Sequence, residues 1–262
     1  MRKLNIAIIG LGNIGSYLYK YLNDNKKILT EKNNCLPIVR FVSAKNKKRK
    51  RNINIKKNQW LDNYIDATKN KDIDLIVELI GGSEGPAKKL VFSALRNKKN
   101  VVTANKALIA KYGDALAKIA EKNKVNLEFE ASVCGGVPII RSLKEGLIAN
   151  KISKIYGIFN GTSNYILSSM DKQNKNFNEV LINAKKLGYA ESNPAADLNG
   201  DDVSSKLKIL SSLCFNSFLN DKIYVEGIKE IDKIDIDNSN KLGYKIKLLA
   251  FSEILKNKIY QR

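Results

Sequence analysis

Histidine is absent from this chain of 262 residues, and cysteine is scarce. The missing histidine excludes Ser–His and Cys–His nucleophile pairs, histidine general bases and histidine-ligated metals. Acid–base chemistry therefore falls to lysine, aspartate, glutamate or tyrosine. The three cysteines, Cys35, Cys134 and Cys214, are far apart and show neither metal-ligand spacing nor a disulfide framework. Such cysteine usage predicts a reducing compartment, and the cytoplasm is the expected location.

Long apolar runs are also missing: none approaches the ~18 residues that a membrane-spanning helix needs, so no membrane partner is predicted. The segment after Met1, Arg2 and Lys3 resembles a signal peptide only superficially, because it lacks a small-residue cleavage site. Hydrophobic residues form 44% of the chain, which is enough to bury a sizeable core. The length predicts one large domain or two small ones.

Acidic residues are outnumbered, 26 against 46 lysines and arginines, which gives a net charge of +20. One interpretation is a partner of opposite charge, such as nucleic acid or an acidic membrane. The other is compositional bias, because lysine, asparagine and isoleucine are abundant in every segment. We favour the bias, so no nucleic-acid partner is expected. The one charge-biased segment covers residues 45–57.

Apolar runs and helical patterns alternate along the first half of the chain. The runs predict buried strands over residues 4–9, 36–44, 74–80, 100–104 and 125–131. Helices are predicted after the first strand, after a cap at Ser83 with Pro86 in the first turn, and over residues 107–122. The second of these helices has one apolar face, formed by Ala87, Leu90, Val91, Ala94 and Leu95. The alternation predicts a doubly wound, Rossmann-type parallel sheet of the α/β class over residues 1–131.

The pattern changes after Pro138. Helices are predicted over residues 139–149, 162–171, 177–188, 203–215 and 240–256, an extended segment over 152–160 and a strand over 222–231. The last helix depends on one apolar face made of Leu242, Ile246, Leu249 and Ala250. This mixture predicts a second domain, of the α+β type, over residues 132–262.

A glycine-rich turn joins the first strand to the helix that follows it. It has GxGxxG spacing and consists of Gly10, Leu11, Gly12, Asn13, Ile14 and Gly15. The first glycine permits the tight turn, the second lets the backbone approach a pyrophosphate, and the third allows close helix–strand packing. Because the turn lies between a strand and a helix, it predicts a dinucleotide site with the phosphates at the positive helix end. All six residues are predicted to bind the cofactor.

The end of the second strand predicts which dinucleotide binds. NAD sites place an acidic residue there to bind the ribose 2′-hydroxyl. Here the chain reads Ser43-Ala44-Lys45-Asn46-Lys47-Lys48-Arg49, with no acid and several cations. These cations favour a 2′-phosphate, so NADP is predicted, with Lys45 and Arg49 as contacts and NAD as the alternative. Gly82, just past the third strand, is also assigned to the cofactor site.

Missing residues also limit the class of dehydrogenase. Lactate- and malate-type enzymes need a histidine, zinc alcohol dehydrogenases need histidine and cysteine ligands, and short-chain dehydrogenases need Tyr-x-x-x-Lys, which none of the 11 tyrosines provides. What remains is an oxidoreductase that uses lysine and carboxylates. On a helix over residues 202–215, Lys206 borders the apolar stripe one turn from Asp202. This pair fits a proton donor, although the spacing is more often that of an exposed ion pair.

Several longer motifs, in order along the chain, resemble those of homoserine dehydrogenases. Besides the glycine turn they are Val102-Thr103-Ala104-Asn105-Lys106, Glu130-Ala131-Ser132-Val133-Cys134-Gly135-Gly136-Val137-Pro138, Gly157-Ile158-Phe159-Asn160-Gly161-Thr162-Ser163-Asn164-Tyr165, Gly188-Tyr189-Ala190-Glu191 and Gly200-x-Asp202-x-x-x-Lys206. The resemblance covers nearly the whole chain and outweighs the ion-pair interpretation of Lys206. It implies interconversion of L-homoserine and L-aspartate 4-semialdehyde with NADP or NAD, a step toward threonine and methionine.

The resemblance also implies roles for particular residues. Lys206 matches the proton donor and acceptor, with Asp202 and Lys106 as the other catalytic positions. Glu191 and Asp202 match carboxylates that hold the substrate amino group, and Asp197 matches a further acid at the site. Lys106 also matches a lysine near the nicotinamide.

Further implications concern ions, assembly and chain length. Gly188 matches a cofactor contact, and relatives imply a homodimer. Asn193 and Ala196 stand where relatives often carry acids, so a changed substrate affinity is expected. The family continues well past the region matched here, so the second domain is expected to be incomplete. A structural sodium site is implied by Glu130 and the backbone carbonyls of Val133, Gly135 and Val137.

Two other interpretations compete with this assignment. One is a truncated, non-catalytic remnant or a basic nucleic-acid-binding protein, which the net charge favours. The other is a different NADP-dependent oxidoreductase. Salt-dependent RNA binding without NADP binding would select the first, and substrate screening would select the second.

Overall fold

The structure, a computed structural model, describes residues 1–216, 223–256 and 258–262. The chain forms two compact units, Met1–Gly135 and Gly136–Arg262. Within the described residues, no helix is both long enough and apolar enough to cross a membrane.

The first unit is built on a parallel sheet of five strands. The strands are β1 (Arg2–Ile9), β2 (Cys35–Ser43), β3 (Leu75–Glu78), β4 (Asn100–Thr103) and β5 (Leu127–Glu128). They pair in the order β2-β1-β3-β4-β5. The connecting helices are α1 (Asn13–Asp24), α2 (Lys26–Asn33), α3 (Pro86–Arg96) and α4 (Lys106–Asn123). The doubly wound α/β class predicted from the sequence is confirmed.

Burial explains why these segments became strands and helices. The last four residues of β1, Ile6 to Ile9, are all buried, as expected for a strand that is covered on both faces. All five residues of the apolar face predicted for α3 are buried. The predicted cap at Ser83 is wrong, because the cap position is Gly85, in the left-handed region at φ 68°, and Pro86 begins the helix. The strand predicted over 125–131 shrinks to the two residues of β5.

The strand order creates a crevice at one edge of the first sheet. Strand β1 lies inside the sheet, with β2 on one side and β3 on the other. The chain therefore leaves β1 and β3 in opposite directions. Doubly wound sheets bind ligands at this type of switch point, beyond the carboxyl ends of the strands.

The second unit combines an antiparallel sheet with helices, so the predicted α+β mixture is confirmed. The strands β6 (Lys154–Gly157), β7 (Ala250–Leu255) and β8 (Lys258–Gln261) pair in that order. The helices are α5 (Ile139–Arg141, continued by a π turn over Ser142–Gly146), α6 (Gly161–Gln173), α7 (Phe177–Lys186), α8 (Ala195–Asn199), α9 (Asp201–Phe215) and α10 (Lys233–Lys241). Val203 and Leu207 of α9 pack against Ala250 of β7. The helix predicted over 139–149 is shorter than expected.

The helix predicted over 240–256 is wrong. Helix α10 ends at Lys241, and Gly243 has φ 78°, which turns the chain out of the helix. Residues from Ala250 onward form β7, which pairs with β6, where Ala250 lies opposite Gly157. A partner strand more than 90 residues away therefore overrode the local helical spacing.

The strand predicted over 222–231 is wrong for the residues that the structure describes, and residue 222 lies outside them. From residue 223 onward this segment is irregular and belongs to no strand. It packs on α8 instead, where the Ile228 N–H donates to the Leu198 carbonyl at 2.9 Å. A Cβ at Gly227 would collide with the Leu198 carbonyl, so glycine permits this close approach.

Candidate active site

The three glycines of the N-terminal turn have different surroundings. Gly10 has φ 111°, and a Cβ there would collide with the Leu79 carbonyl. A Cβ at Gly15 would collide with the Gly10 carbonyl. No atom lies within 4 Å of a Cβ built on Gly12 among the described residues. The outer two glycines therefore serve packing, whereas the middle one leaves the backbone open to a ligand.

Helix α1 begins directly at this open position. Gly12 is its cap residue, and the structure, which describes this helix in full, shows no side-chain cap and no acid in its first turn. The first backbone N–H groups of a helix lack partners within the helix and carry partial positive charge. The turn thus has the properties of a phosphate cradle.

A cavity of about 500 Å³ lies beside the turn, at the carboxyl edge of the sheet. Its lining includes Gly12, Gly15, Gly81, Asn105 and Arg49. The predicted Lys45 is exposed and Lys106 is half-buried at the start of α4; neither lines this cavity.

Arg51 fastens the basic loop after β2 to the glycine turn. Its Nε donates to the Leu11 carbonyl at 2.9 Å, and its two terminal nitrogens donate to the carbonyls of Arg49 at 2.8 Å and Asn46 at 2.9 Å. Burial, with a smaller contribution from the charge of Arg49, lowers the pKa of Arg51. Another cation, Lys47, is paired with Asp62 at 2.7 Å. The loop that holds Arg49 is therefore anchored by a residue that the sequence prediction did not single out.

In the second unit, α9 brings the predicted acid–base pair together. The Lys206 Nζ lies 2.6 Å from Asp202 Oδ2, and the two side chains are only 15% and 4% exposed. The same Nζ donates to the Phe159 carbonyl at 2.7 Å. This burial and the second acceptor contradict the exposed ion-pair interpretation. Lys206 is a largely buried ammonium held by one carboxylate and one carbonyl.

Asn160 connects this pair to the third predicted residue, Asp197. The Asn160 Nδ2 donates to Asp197 Oδ1 at 2.7 Å and to Asp202 Oδ2 at 3.0 Å. Its Oδ1 accepts the Ser163 N–H at 2.8 Å and so caps α6. A single buried amide thereby holds two carboxylates side by side and reduces their repulsion. The sequence prediction assigned no role to Asn160, because its partners lie 37 and 42 residues away.

The segment carrying Gly188 and Glu191 lies on the surface of this unit. The Thr162 hydroxyl donates to the Tyr189 carbonyl at 2.7 Å, and the Tyr189 ring stacks on Tyr165 with centroids 4.4 Å apart. Gly188 has φ 79°. Glu191 is exposed, and in the described part of the chain it makes no hydrogen bond or ion pair. The structure thus gathers Asp197, Asp202 and Lys206 but leaves Glu191 outside their network.

The residues predicted to bind sodium lie close together along the chain, between Glu130 and Val137. Glu130 begins a short 3₁₀ turn over Glu130–Ser132, and Val133 is buried directly after it. Gly135 ends the first unit and Val137 belongs to the second. The sodium site stays a prediction.

The fold, the glycine turn and the open carboxyl edge of the sheet define a dinucleotide-binding protein of the dehydrogenase class. Sequence comparison matches residues 10–130 to the family described as "Homoserine dehydrogenase, NAD binding domain" and residues 138–260 to the family described as "Homoserine dehydrogenase". The chain belongs to the homoserine dehydrogenase family.

Individual relatives agree with this assignment. The homoserine dehydrogenase of Neisseria gonorrhoeae is 40% identical over 95% of this chain and 57% of its own length, and that of Bacillus subtilis is 38% identical over 97% and 58%. A homoserine dehydrogenase structure from Thiobacillus denitrificans superposes with a TM-score of 0.91 at 38% identity, covering 100% of this chain and 61% of that one. A hyperthermophilic archaeal homoserine dehydrogenase mutant in complex with NADPH gives 0.81 at 25% identity, covering 99% and 81%. The chain thus spans a little more than half the length of the curated relatives that it matches.

Proposed function

We propose that this protein interconverts L-homoserine and L-aspartate 4-semialdehyde, with a nicotinamide dinucleotide as the redox partner. The observation that carries the proposal is the Lys206 ammonium, largely buried, with Asp202 at 2.6 Å and the Phe159 carbonyl at 2.7 Å. Among the described residues those two acceptors engage two of its three hydrogens, which leaves one for a substrate oxygen. Family membership and the matched motifs supply the substrate class.

The side chains of the second unit can perform the proton part of this reaction. A bound nicotinamide supplies or accepts the hydride at the substrate carbon. When the aldehyde is reduced, negative charge develops on its oxygen, and Lys206 stabilises that charge and donates a proton. Asp202 holds the lysine Nζ in place at 2.6 Å. Asp197 and Asp202, with Glu191, are proposed to hold the substrate ammonium and so orient the substrate for hydride attack.

The direct test is an absorbance assay at the nicotinamide band with the native protein that contains this sequence. We expect oxidation of L-homoserine with NADP, reduction of L-aspartate 4-semialdehyde with NADPH, and negligible turnover of alcohols that lack the amino group. Turnover of other hydroxy acids in preference to L-homoserine would favour another oxidoreductase. Cofactor binding without any turnover would favour the non-catalytic interpretation.

We also propose that the cofactor is NADP rather than NAD. Support comes from the acid-free turn after β2 and from Arg49, which lines the cavity beside the glycine turn. One relative of known structure was solved with NADPH. Arg49→Glu is expected to weaken NADPH binding by about tenfold or more, because a hydrogen bond to a charged group contributes ~1.5–3 kcal/mol, and to leave NADH binding nearly unchanged.

Lys57→Glu is the matched control for this cofactor test. It makes the same change of charge at the far end of the basic segment, so it reports general electrostatic attraction. Both affinities are measured for each variant at one ionic strength, by quenching of Trp60 fluorescence or by dinucleotide fluorescence. Equal or tighter NADH binding by the unmodified protein would refute NADP preference.

Three family implications complete the proposal. We infer a structural sodium ion held by Glu130 and the carbonyls of Val133, Gly135 and Val137, since hard oxygen ligands suit such a cation. We also infer a homodimer and a cytoplasmic location. Replacement of sodium by choline, analytical ultracentrifugation and cell fractionation test these points separately.

A further inference from the structure

One buried carboxylate lies at the dinucleotide cavity without an assigned role. Glu78 is the last residue of β3 and is fully buried, yet it lines the cavity beside the glycine turn. The rest of β3 is Leu75, Ile76 and Val77, so an apolar residue would suit the local pattern. Because burying a carboxylate is costly unless it is well hydrogen-bonded, its contacts need an explanation.

The carboxylate joins two neighbouring strands at their carboxyl ends. Its Oε1 accepts the backbone N–H groups of Ile80 at 2.7 Å and Gly81 at 3.0 Å. Its Oε2 accepts the Thr103 hydroxyl, at the end of β4, at 2.5 Å. Within the described residues all of its partners are neutral donors, so the charge is held by oriented dipoles and not by a cation.

The hydrogen-bond directions identify Glu78 as the end of a chain of donors. The Asn105 backbone N–H donates to Thr103 Oγ1 at 3.0 Å, so the Thr103 hydroxyl hydrogen is available for Glu78. Hydrogen bonds connected in this way strengthen one another in a buried setting. The arrangement requires an acceptor at the Glu78 position, which an ionised carboxylate provides on both oxygens.

Asn105 closes the network around the glycine pair that follows β3. Its Nδ2 donates to the Gly82 carbonyl at 2.7 Å, and its Oδ1 accepts the Leu108 N–H at 3.1 Å to cap α4. Gly81 and Gly82 both have positive φ, at 85° and 79°, so this turn has unusual conformational freedom. Glu78 and Asn105 restrict it from its two ends.

We propose that Glu78 is a positioning residue of the dinucleotide pocket, which presets the Gly81–Gly82 turn and, through Thr103 and Asn105, the start of α4 with Lys106. The inference rests on the cofactor part of the proposed function. A preset turn loses less conformational entropy when a ligand binds, so its stiffness contributes to affinity.

The experiment compares Glu78→Gln with two other variants. The amide keeps the size and one acceptor but cannot accept at both positions, so the Thr103 hydroxyl loses its acceptor. Thr103→Val removes that donor directly and nearly preserves shape. Glu31→Gln, on the exposed surface of α2, is the matched control. For each protein we would measure the Tm and the Kd values for NADPH and for NADH. The Kd values are measured at a temperature well below the Tm, so that every variant is folded.

Glu78→Gln is expected to weaken dinucleotide binding by about tenfold, as loss of a charge-assisted hydrogen bond predicts, and Thr103→Val by a few-fold. The double variant should bind no more weakly than Glu78→Gln alone, because both changes interrupt one chain of donors. Additive losses would refute the chain. A lower Tm with unchanged Kd values would assign Glu78 to stability alone and overturn the proposal.

Failure of this proposal is distinct from failure of the proposed function. If the unmodified protein binds neither dinucleotide, both are overturned. If it binds but Glu78→Gln binds equally well, only the positioning role is lost. If Glu78→Gln does not fold, Thr103→Val decides the matter: unchanged affinity in that variant would overturn the role, and a few-fold loss would support it.

Discussion

The candidate sites of the two units consist of different chemical groups. In the first, the site consists of glycines, backbone N–H groups and a carboxylate whose partners among the described residues are neutral. In the second, an ammonium and two carboxylates meet around one amide. The first arrangement suits a ligand that must be bound in a fixed pose, and the second suits a proton that must move. Substitutions in the two units should therefore separate binding from turnover.

Removal of the lysine should give the largest effect. Lys206→Ala deletes the proposed proton donor and the charge proposed to stabilise the developing oxyanion, so turnover should fall by about 10²–10⁴-fold. Dinucleotide affinity should stay unchanged, because the cradle lies in the other unit. Stopped-flow turnover and a fluorescence titration on the native protein measure both. Lys208→Ala, on the same helix, is the control, and a Lys206→Ala protein that keeps more than about a tenth of turnover would exclude the general-acid role.

Asn160→Asp sharpens the comparison by changing one atom type within the charged site. An oxygen still caps α6, but the donor to Asp197 and Asp202 is lost and a third negative charge is added. Turnover should fall by about 10–100-fold, since each hydrogen bond to a charged group contributes ~1.5–3 kcal/mol.

Asn176→Asp provides a close control for that variant. Asn176 caps α7 by accepting the Glu179 N–H at 3.0 Å, so the same chemical change is made at a helix cap outside the cluster. Its turnover should match that of the unmodified protein. Equal losses in the two variants would mean that Asn160 acts only as a cap.

The glycine turn offers a smaller and more selective change. A methyl group at Gly12 meets open space, so Gly12→Ala should fold normally yet weaken dinucleotide binding by about tenfold or more, through lost backbone contacts to phosphate. A methyl group at Gly15 would collide with the Gly10 carbonyl, so Gly15→Ala should lower the free energy of unfolding by ~1–3 kcal/mol. Kd and Tm are measured for both. The reverse pattern would contradict the division between packing and binding glycines.

The smallest expected effect is on Tm at low pH, where acid should weaken one surface contact of the first unit. Glu84 is exposed, and hydrogen bonds from Lys111, Tyr112 and Lys88 lower its pKa to about 2. Because the folded pKa lies below the ordinary value, this contact stabilises the protein above about pH 4.5 and is lost as the pH falls from there toward 2. The Tm difference between the unmodified protein and Glu84→Gln should shrink over that window and also with added salt. A constant difference from pH 7 to pH 2 would contradict the assignment.

The sequence predicted correctly those features that depend on residues close to one another along the chain. The strand, turn and helix around Gly12 were readable because each glycine acts within a few residues, and the apolar face of α3 was readable from its spacing. The Asp202–Lys206 pair was also local, being one helical turn apart. The burial of this pair could not be predicted locally, since it depends on Phe159 and on the packing of α9 against β7.

Long-range contacts account for the failures. Asn160 has no recognisable signal as an anchor, because its carboxylate partners are brought near only by the folded unit. Glu78 is hidden at the end of an apolar run, where its acceptor role depends on a neighbouring strand. The spacing of Leu242, Ile246 and Leu249 is typical of a helix. The residues from Ala250 onward instead form a strand, because they pair with β6.

Arg51 has a consequence for the kinetics of cofactor capture. Its guanidinium already holds the basic loop against the Leu11 carbonyl, so the cations of that loop need not assemble after the ligand arrives. A dinucleotide with several negative charges would approach a positive electrostatic field whose direction is already set by these cations. Its association rate constant should therefore fall steeply as ionic strength rises. Its dissociation rate constant, set by close contacts with the cradle, should respond far less.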